Sequence, residues 1–80
     1  MTQSNEDRKL LRMLGERIRQ LRVSKGFSQE QLADIAEVHR TYIGMIERGE
    51  KNITFLSACK IAGALGISLS QIFEGLNSGQ

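Results

Sequence analysis

The sequence predicts an all-α domain of five short helices packed around one core. Proline is absent from the 80 residues, and β-branched residues form no long runs, a composition that favours helices over strands. Residues that can cap a helix precede apolar side chains at helical spacing, and glycines follow most of these segments. With 40% hydrophobic residues, the chain can build one small core, near the lower size limit for a stable domain. We therefore expect a single domain over residues 1–80, with loose ends at 1–5 and 76–80.

The first predicted helix runs from about Asn5 to about Ser24. Asn5 or Ser4 can cap it, and Gly26 is expected to end it. The side chain of Phe27 is then expected to pack into the core, just before the cap of the next helix. The side chains expected to face the core recur at helical spacing: Leu11, Leu14, Ile18 and Leu21.

Two short helices joined by a tight corner are predicted between Ser28 and Gly49. Ser28 caps the first of them, and Gln31 completes a capping box. Val38 follows the corner and is expected to point inward. The second helix begins near Arg40, and its mainly apolar back is formed by Ile43 and Ile46, with Tyr42 and Glu47 on the same side. Its opposite side is small, polar and cationic, with Arg40 at the edge: Thr41, Gly44, Met45 and Arg48.

A fourth helix, Phe55–Leu65, is predicted after a Thr54 cap, with Gly66 as its left-handed end. A short fifth helix follows Ser68, which forms another capping box with the Gln three residues later, and ends near Glu74. The residues of the fourth helix expected to face the core are Leu56, Ala58, Ile61, Ala62 and Leu65.

Composition argues against several function classes. One cysteine, Cys59, excludes an internal disulfide, and with the lone His39 it makes no metal cluster, so we expect no cofactor or metal. Cys59 is interpreted as a small core or interface residue, and His39 as a helix cap. The apolar runs are too short for a membrane span and the start MTQSNED is no signal peptide, which predicts a cytoplasmic protein without a membrane partner. The acidic residues form no catalytic pair, so we expect no enzyme.

The net charge of +2 is modest, but its placement is uneven. Seven of the eleven Lys and Arg residues lie between Arg8 and Lys25. Most of them fit an ordinary solvated face, and phosphate contact is the alternative for a few.

The polar side of the helix beginning at Arg40 suits a DNA major groove, which admits one α-helix. Arg40 can donate two hydrogen bonds to guanine, and the methyl of Thr41 can pack on thymine. Gly44 allows close approach to the groove, and Met45 can touch a thymine methyl. We predict that these four residues read bases; for each, the alternative is an ordinary surface or packing residue.

Phosphate contacts are predicted on both sides of that helix. Gln29 lies in the first turn of the preceding helix, whose free N–H groups attract phosphate, with an ordinary solvent-exposed Gln as the alternative. The hydroxyl of Tyr42 can reach a phosphate while its ring packs on the rim of the core. The residues expected at the helix exit, each with a solvated loop as the alternative, are Arg48, Lys51 and Asn52.

Three segments, in order, resemble the lambda-repressor-like (Cro/Xre) helix-turn-helix family from about Leu14 to Phe73: LRVSKGFSQEQLADIAEV, IERG and ACKIAGALGISLSQIF. A narrower similarity lies in HRTYIGMIERGEKN, which resembles the controller proteins of restriction–modification systems. Those carry Arg-Thr-Tyr at the start of the recognition helix and an Asn after the Gly that ends it. The resemblance implies a lambda-repressor-like fold and a small dimeric DNA-binding regulator.

The resemblance also implies particular residue roles. Arg22 and Glu47 match a family pair that orients the recognition helix from behind, and Ser28 and Gln29 match phosphate contacts. Two positions depart from the family pattern. Glu37 stands in the corner where Gly or Ser is common, so its backbone is either right-handed or strained. His39 replaces an acidic cap.

A dimer is expected because one recognition helix binds specific DNA too weakly at cellular salt. The apolar residues predicted at the two-fold interface, helped by Leu10 or Met13, are Ile67, Leu69, Ile72, Phe73 and Leu76. The alternative is that they complete the core of the monomer.

The predicted partner is a palindromic double-stranded DNA operator, with two recognition helices one DNA turn apart, ~34 Å. The protein would activate or repress according to its concentration. The resemblance to controller proteins implies that the promoters are those of its own gene and of a restriction endonuclease gene. RNA polymerase is a further candidate partner, with Glu30 or Asp34 as the suggested contacts. The alternatives are a short phage-type repressor, an antitoxin-type module that also binds a partner protein, and an interaction domain that does not bind DNA.

Overall fold

The computed structural model describes residues 4–76. This part of the chain contains five helices and no strand, which confirms the predicted fold class. The helices, in chain order, are α1 (Asn5–Ser24), α2 (Gln29–Ala36), α3 (Arg40–Glu47), α4 (Phe55–Leu65) and α5 (Leu69–Ile72). None of them is both long and apolar enough to cross a bilayer.

The predicted loose ends fall partly within the described residues and partly outside them. Residues 1–3 and 77–80 lie outside. Ser4 and Asn5 lie within the described residues, where Ser4 and Asp7 form the capping box that starts α1. Leu76 also lies within the described residues, where it is half-buried and packs against the core.

Most predicted helix boundaries are confirmed because they depend on local capping. The Ser28 and Ser68 side chains each accept a hydrogen bond from the N–H three residues later and complete a capping box. Thr54 caps α4, and Gly66 ends it in a left-handed conformation with φ of 71°. The exception is α5, which ends at Ile72 rather than near Glu74.

The end of α5 is held by a side chain of α1. Arg17 donates from Nε and Nη2 to the carbonyl oxygen of Gln71, at 3.1 and 2.8 Å. After Ile72 the backbone continues as turns, in which the N–H of Leu76 donates to the carbonyl of Phe73. The last turn of α5 is therefore fixed to α1.

The core draws on all five helices. The large side chains that are almost fully buried are Ile18, Leu32, Ile43, Ile46, Ile61, Leu65 and Ile72. The prediction for Leu56 was wrong: it is 70% exposed. Leu56 precedes the buried Ala58 by two residues, about 200° around a helix, which turns it away from the core.

Candidate nucleic-acid interface

The corner between α2 and α3 turns at Glu37. Its φ of 60° and ψ of 44° place it in the left-handed region, and no other non-glycine residue between 4 and 76 has a positive φ. The next N–H, that of Val38, donates to the carbonyl of Ala33 at 3.0 Å. Of the two conformations left open for Glu37, the structure adopts the strained one. Val38 is half-buried against the core, as predicted.

The first turn of α3 is capped by His39. Its Nδ1 accepts a hydrogen bond from the backbone N–H of Thr41 at 3.1 Å. His39 therefore supplies the side-chain acceptor that caps α3, as expected.

The back of α3 is fixed by close packing against α1 and α2. Ile43 and Ile46 are at most 1% exposed. Gly15 of α1 faces the end of α3, and a Cβ at this position would clash with the carbonyl oxygen of Ile46 and lie 2.6 Å from that of Glu47. The sequence analysis missed the role of Gly15. The only signal was its position inside a predicted helix, where a glycine usually indicates close packing.

A largely buried ion pair holds α3 from behind, as the family resemblance implied. Arg22 donates from Nε and Nη2 to the Glu47 carboxylate at 2.6 and 3.0 Å, and from Nη1 to the carbonyl of Phe27 at 2.8 Å. The Arg22 and Glu47 side chains are 12% and 3% exposed. The hydrogen bond to Glu47 raises the pKa of Arg22 above its ordinary value.

Gln29 belongs to the same network. Its amide nitrogen donates to Oε1 of Glu47 at 3.0 Å, so the amide that was predicted to contact phosphate is directed at the ion pair instead. Ser28, immediately before it, is exposed at the start of α2. Its side chain is engaged as the cap of α2.

The front of α3 borders an open concavity of about 610 Å³. Arg40, Thr41 and Arg48 are exposed, and Met45 is half-buried. The residues that line the concavity come from α1 to α3 and their caps: Arg22, Ser28, Gln29, Glu30, Arg40, Thr41, Gly44 and Arg48. The predicted small, polar and cationic side of α3 therefore faces solvent except at one position.

That position is Gly44, which was expected on the exposed front but is buried. A Cβ added there would lie 3.1 Å from Nη1 of Arg48 and 3.5 Å from Oε1 of Gln29. The space above Gly44 is thus filled by side chains of the same chain. In the free protein Gly44 makes room for Arg48 rather than for a base.

Two cations at this surface are paired with carboxylates. Nη1 of Arg40 lies 2.8 Å from Oε2 of Glu30, and the two side chains are 68% and 63% exposed, respectively. Arg48 donates from Nε and Nη2 to Glu50 at 3.0 and 3.2 Å, and these hydrogen bonds lower the pKa of the Glu50 carboxyl. Exposed pairs of this kind are weak, so DNA phosphates or bases can replace the carboxylates. Sequence reasoning missed both pairs, and it had considered Glu30 only as a polymerase contact.

The remaining predicted phosphate contacts lie around the exit of α3. Lys51 and Asn52 are exposed. Tyr42 is half-buried, and its hydroxyl accepts a hydrogen bond from the backbone N–H of Thr54 at 3.3 Å. The hydroxyl thus braces the start of α4 in the free protein.

The predicted dimer residues divide between core and surface. Ile72 is fully buried, so it belongs to the core of the monomer and not to an interface. Phe73 is 40% exposed, whereas Ile67, Leu69 and Leu76 are half-buried. Phe55, which was missed, and Leu56 are each 70% exposed at the start of α4. Cys59 is exposed as well, so of the two roles considered for it, core or interface, the structure excludes the core.

Comparison with known families identifies the chain. The model of the helix-turn-helix family HTH_3 matches residues 18–72, which include α2, the corner and α3. The chain belongs to this helix-turn-helix family. The predicted Cro/Xre-type resemblance is confirmed, as is a DNA-binding regulator at the level of the family.

Individual relatives of this helix-turn-helix chain include controller proteins. Control protein C.SmaI of Serratia marcescens is 41% identical over 70 residues, which are 85% of this chain and 83% of the relative. Control protein C.BamHI of Bacillus amyloliquefaciens is 41% identical over 63 residues, 78% of each chain.

The crystal structure of the restriction-modification controller protein C.AhdI from Aeromonas hydrophila matches with a TM-score of 0.78 and 41% identity. The match covers 79% of this chain and 96% of that one. The predicted similarity to controller proteins is therefore confirmed in sequence and in fold.

Proposed function

We propose that this chain is a restriction–modification controller protein, a dimeric regulator that binds a palindromic operator through α3. One observation carries the proposal. Helix α3 is held from behind by Ile43, Ile46 and the Arg22–Glu47 pair, while its first turn stands exposed beside a concavity. A rigid helix with an exposed polar front is what recognition in the major groove requires.

Base reading is assigned to the first turns of α3. Arg40 and Thr41 are exposed there, and Met45 is accessible on the same side. Arg40 contacts Glu30 through Nη1, and its guanidinium can donate two parallel hydrogen bonds to a guanine. Gly44 serves this surface indirectly, since it accommodates the Arg48 side chain.

Phosphate binding is assigned to the residues that flank α3. Ser28 and Gln29 start α2, whose N-terminal N–H groups attract phosphate. Arg48, Lys51 and Asn52 surround the exit of α3 and are exposed. Two backbone contact zones on either side of the helix fix its register in the groove.

Dimerisation is assigned to α4 and α5, which pack against each other. Phe55 and Leu56 on α4 and Phe73 just after α5 expose large apolar surfaces. The half-buried Leu69 and Leu76 lie four residues before and three residues after Phe73. A two-fold axis at this surface would place two copies of α3 one DNA turn apart, ~34 Å.

The regulatory role follows from the relatives that are called controller proteins. We infer a cytoplasmic, non-enzymatic regulator of its own gene and of a restriction endonuclease gene. At one operator site the dimer would recruit RNA polymerase, and at a second site it would block it. Which site is filled would depend on the concentration of the dimer.

Selection from random duplex DNA tests the proposal. We expect the protein to enrich a sequence with two-fold symmetry and half-sites about one turn apart. Binding of the selected duplex should weaken with salt along a steep log–log line. Failure to enrich any duplex would refute the proposal, and enrichment of a single half-site without symmetry would refute its dimeric form.

A further inference from the structure

The side chain of Arg48, at the end of α3, forms an ion pair with Glu50. Its Nε and Nη2 donate to Oε2 and Oε1 of Glu50, so one whole edge of the guanidinium is occupied. Its Nη1 lies over Gly44, 3.1 Å from the position of a Cβ. The Arg48 and Glu50 side chains are 56% and 52% exposed, so solvent screens the pair and a competing anion can reach it.

A DNA phosphate is a direct competitor for that edge of Arg48. Carboxylate and phosphate both present paired oxygens, which match the planar guanidinium in the same bidentate manner. Arg48 lines the concavity in front of α3, and the exposed Lys51 follows it three residues later in the chain. Glu50 therefore offsets one of the two cations at the place where a DNA backbone would run.

We propose that Glu50 sets the affinity of this surface for DNA by competing with phosphate for Arg48. The inference rests on the proposed DNA-binding function and adds an affinity-limiting residue to it. In the free protein the carboxylate occupies Arg48. On a duplex, a phosphate has to displace this carboxylate before it can bind Arg48, so the lost Arg48–Glu50 contact lowers the affinity. Because phosphate contacts carry no sequence information, Glu50 weakens binding to any duplex by the same factor.

The test is a titration of Glu50→Gln against two duplexes, a selected operator and a scrambled sequence of equal length, at several salt concentrations. We expect Glu50→Gln to bind both duplexes about twofold to fivefold more tightly than the wild type, the range of an exposed ion pair. Because Arg48 reaches the phosphate in both proteins, the number of phosphate contacts is unchanged, and the log–log salt slope should stay close to that of the wild type.

A matched variant separates local competition from a general gain of positive charge. Glu16→Gln removes another exposed carboxylate, which lies 3.9 Å from Arg19 on α1. It changes the net charge equally, and it should leave both affinity and salt slope near the wild-type values. In an Arg48→Ala background, Glu50→Gln should behave like Glu16→Gln.

The outcomes distinguish this inference from the proposed function. If the wild type binds both duplexes but Glu50→Gln matches Glu16→Gln, competition by Glu50 is refuted and the function stands. Weaker binding by Glu50→Gln would also refute it, because Glu50 would then hold Arg48 in its DNA-bound position. If the wild type binds neither duplex, the proposed function and this inference fall together.

Discussion

At the scale of single residues, Arg40 offers the sharpest test of base reading. Its side chain is 68% exposed and contacts only Glu30 of α2 among the ion pairs of residues 4–76. Arg40→Ala should therefore leave the fold intact. One bidentate Arg–guanine contact discriminates between bases by ~1–3 kcal/mol. We expect binding to the selected operator to weaken by that amount and binding to a scrambled duplex to change much less, as measured by competition titration.

The position of Glu47 gives a contrasting prediction about stability. Glu47→Ala would leave the guanidinium of Arg22, which is only 12% exposed, without its carboxylate, and would remove the acceptor of the Gln29 amide. Breaking a buried pair in this way costs ~3–5 kcal/mol, and the 12% exposure of Arg22 places the expected loss at the lower end. Urea unfolding measures the loss.

Two further variants control the Glu47 experiment. Glu50→Ala breaks an ion pair whose members are both more than half exposed, and it should change the unfolding midpoint little. Arg22→Met combined with Glu47→Leu removes both charges and should recover much of the stability. Equal losses from Glu47→Ala and Glu50→Ala would contradict the structural role of the Arg22–Glu47 pair.

At the scale of helices, the crossing of α1 and α3 depends on Gly15. A Cβ there would meet backbone carbonyl oxygens at the end of α3, and these cannot move as a flexible side chain can. Gly15→Ala should therefore lower the free energy of unfolding by ~1–3 kcal/mol, the usual cost of overpacking. Because α3 must shift, DNA affinity should fall as well.

Gly63 of α4 is the matched control for Gly15. It is exposed inside a helix, and a Cβ added there would meet nothing within 4 Å. Gly63→Ala should therefore stabilise the protein by ~1 kcal/mol through helix propensity alone. Thermal unfolding of the two variants should move in opposite directions, and movement in the same direction would contradict the close crossing.

At the scale of the whole molecule, Phe73 tests the proposed dimer. It is 40% exposed at the end of α5, where a charge can be placed without entering the core. Phe73→Asp should shift sedimentation towards the monomer, because a desolvated carboxylate opposes association. Ile35→Asp is the control, since Ile35 is 53% exposed but lies on α2. If Phe73→Asp remains a dimer, the dimer interface does not include Phe73.

Sequence alone predicted the features that depend on neighbours along the chain. Caps such as Ser28 and Thr54 act within three residues, so their spacing reveals them. Contacts between distant segments were not available from spacing. Glu30 meets Arg40 across the α2–α3 corner, and Gly15 meets the end of α3 only after the helices have packed.

Burial at the ends of helices was also beyond the sequence. Ile72 and Phe73 are adjacent and both apolar, yet one is fully buried and the other is 40% exposed. In a helix as short as α5 no periodic stripe exists to separate them. The exposure of Gly44 was predicted wrongly for a different reason. Helical spacing placed Gly44 on the correct side of α3, but the side chain of Arg48 covers it.

The attachment of Arg17 to the last turn of α5 has a mechanical consequence. Helix α1 contacts both α3 and α5, and Arg17 fastens the far end of α5 to it. In the proposed dimer, α1 would act as a stiff strut between the two-fold axis and the DNA-reading end of each subunit. Such a dimer would tolerate little change in the separation of its half-sites. One inserted base pair displaces the half-sites by ~3.4 Å, and a rigid connection through α1 could not bend to follow that displacement.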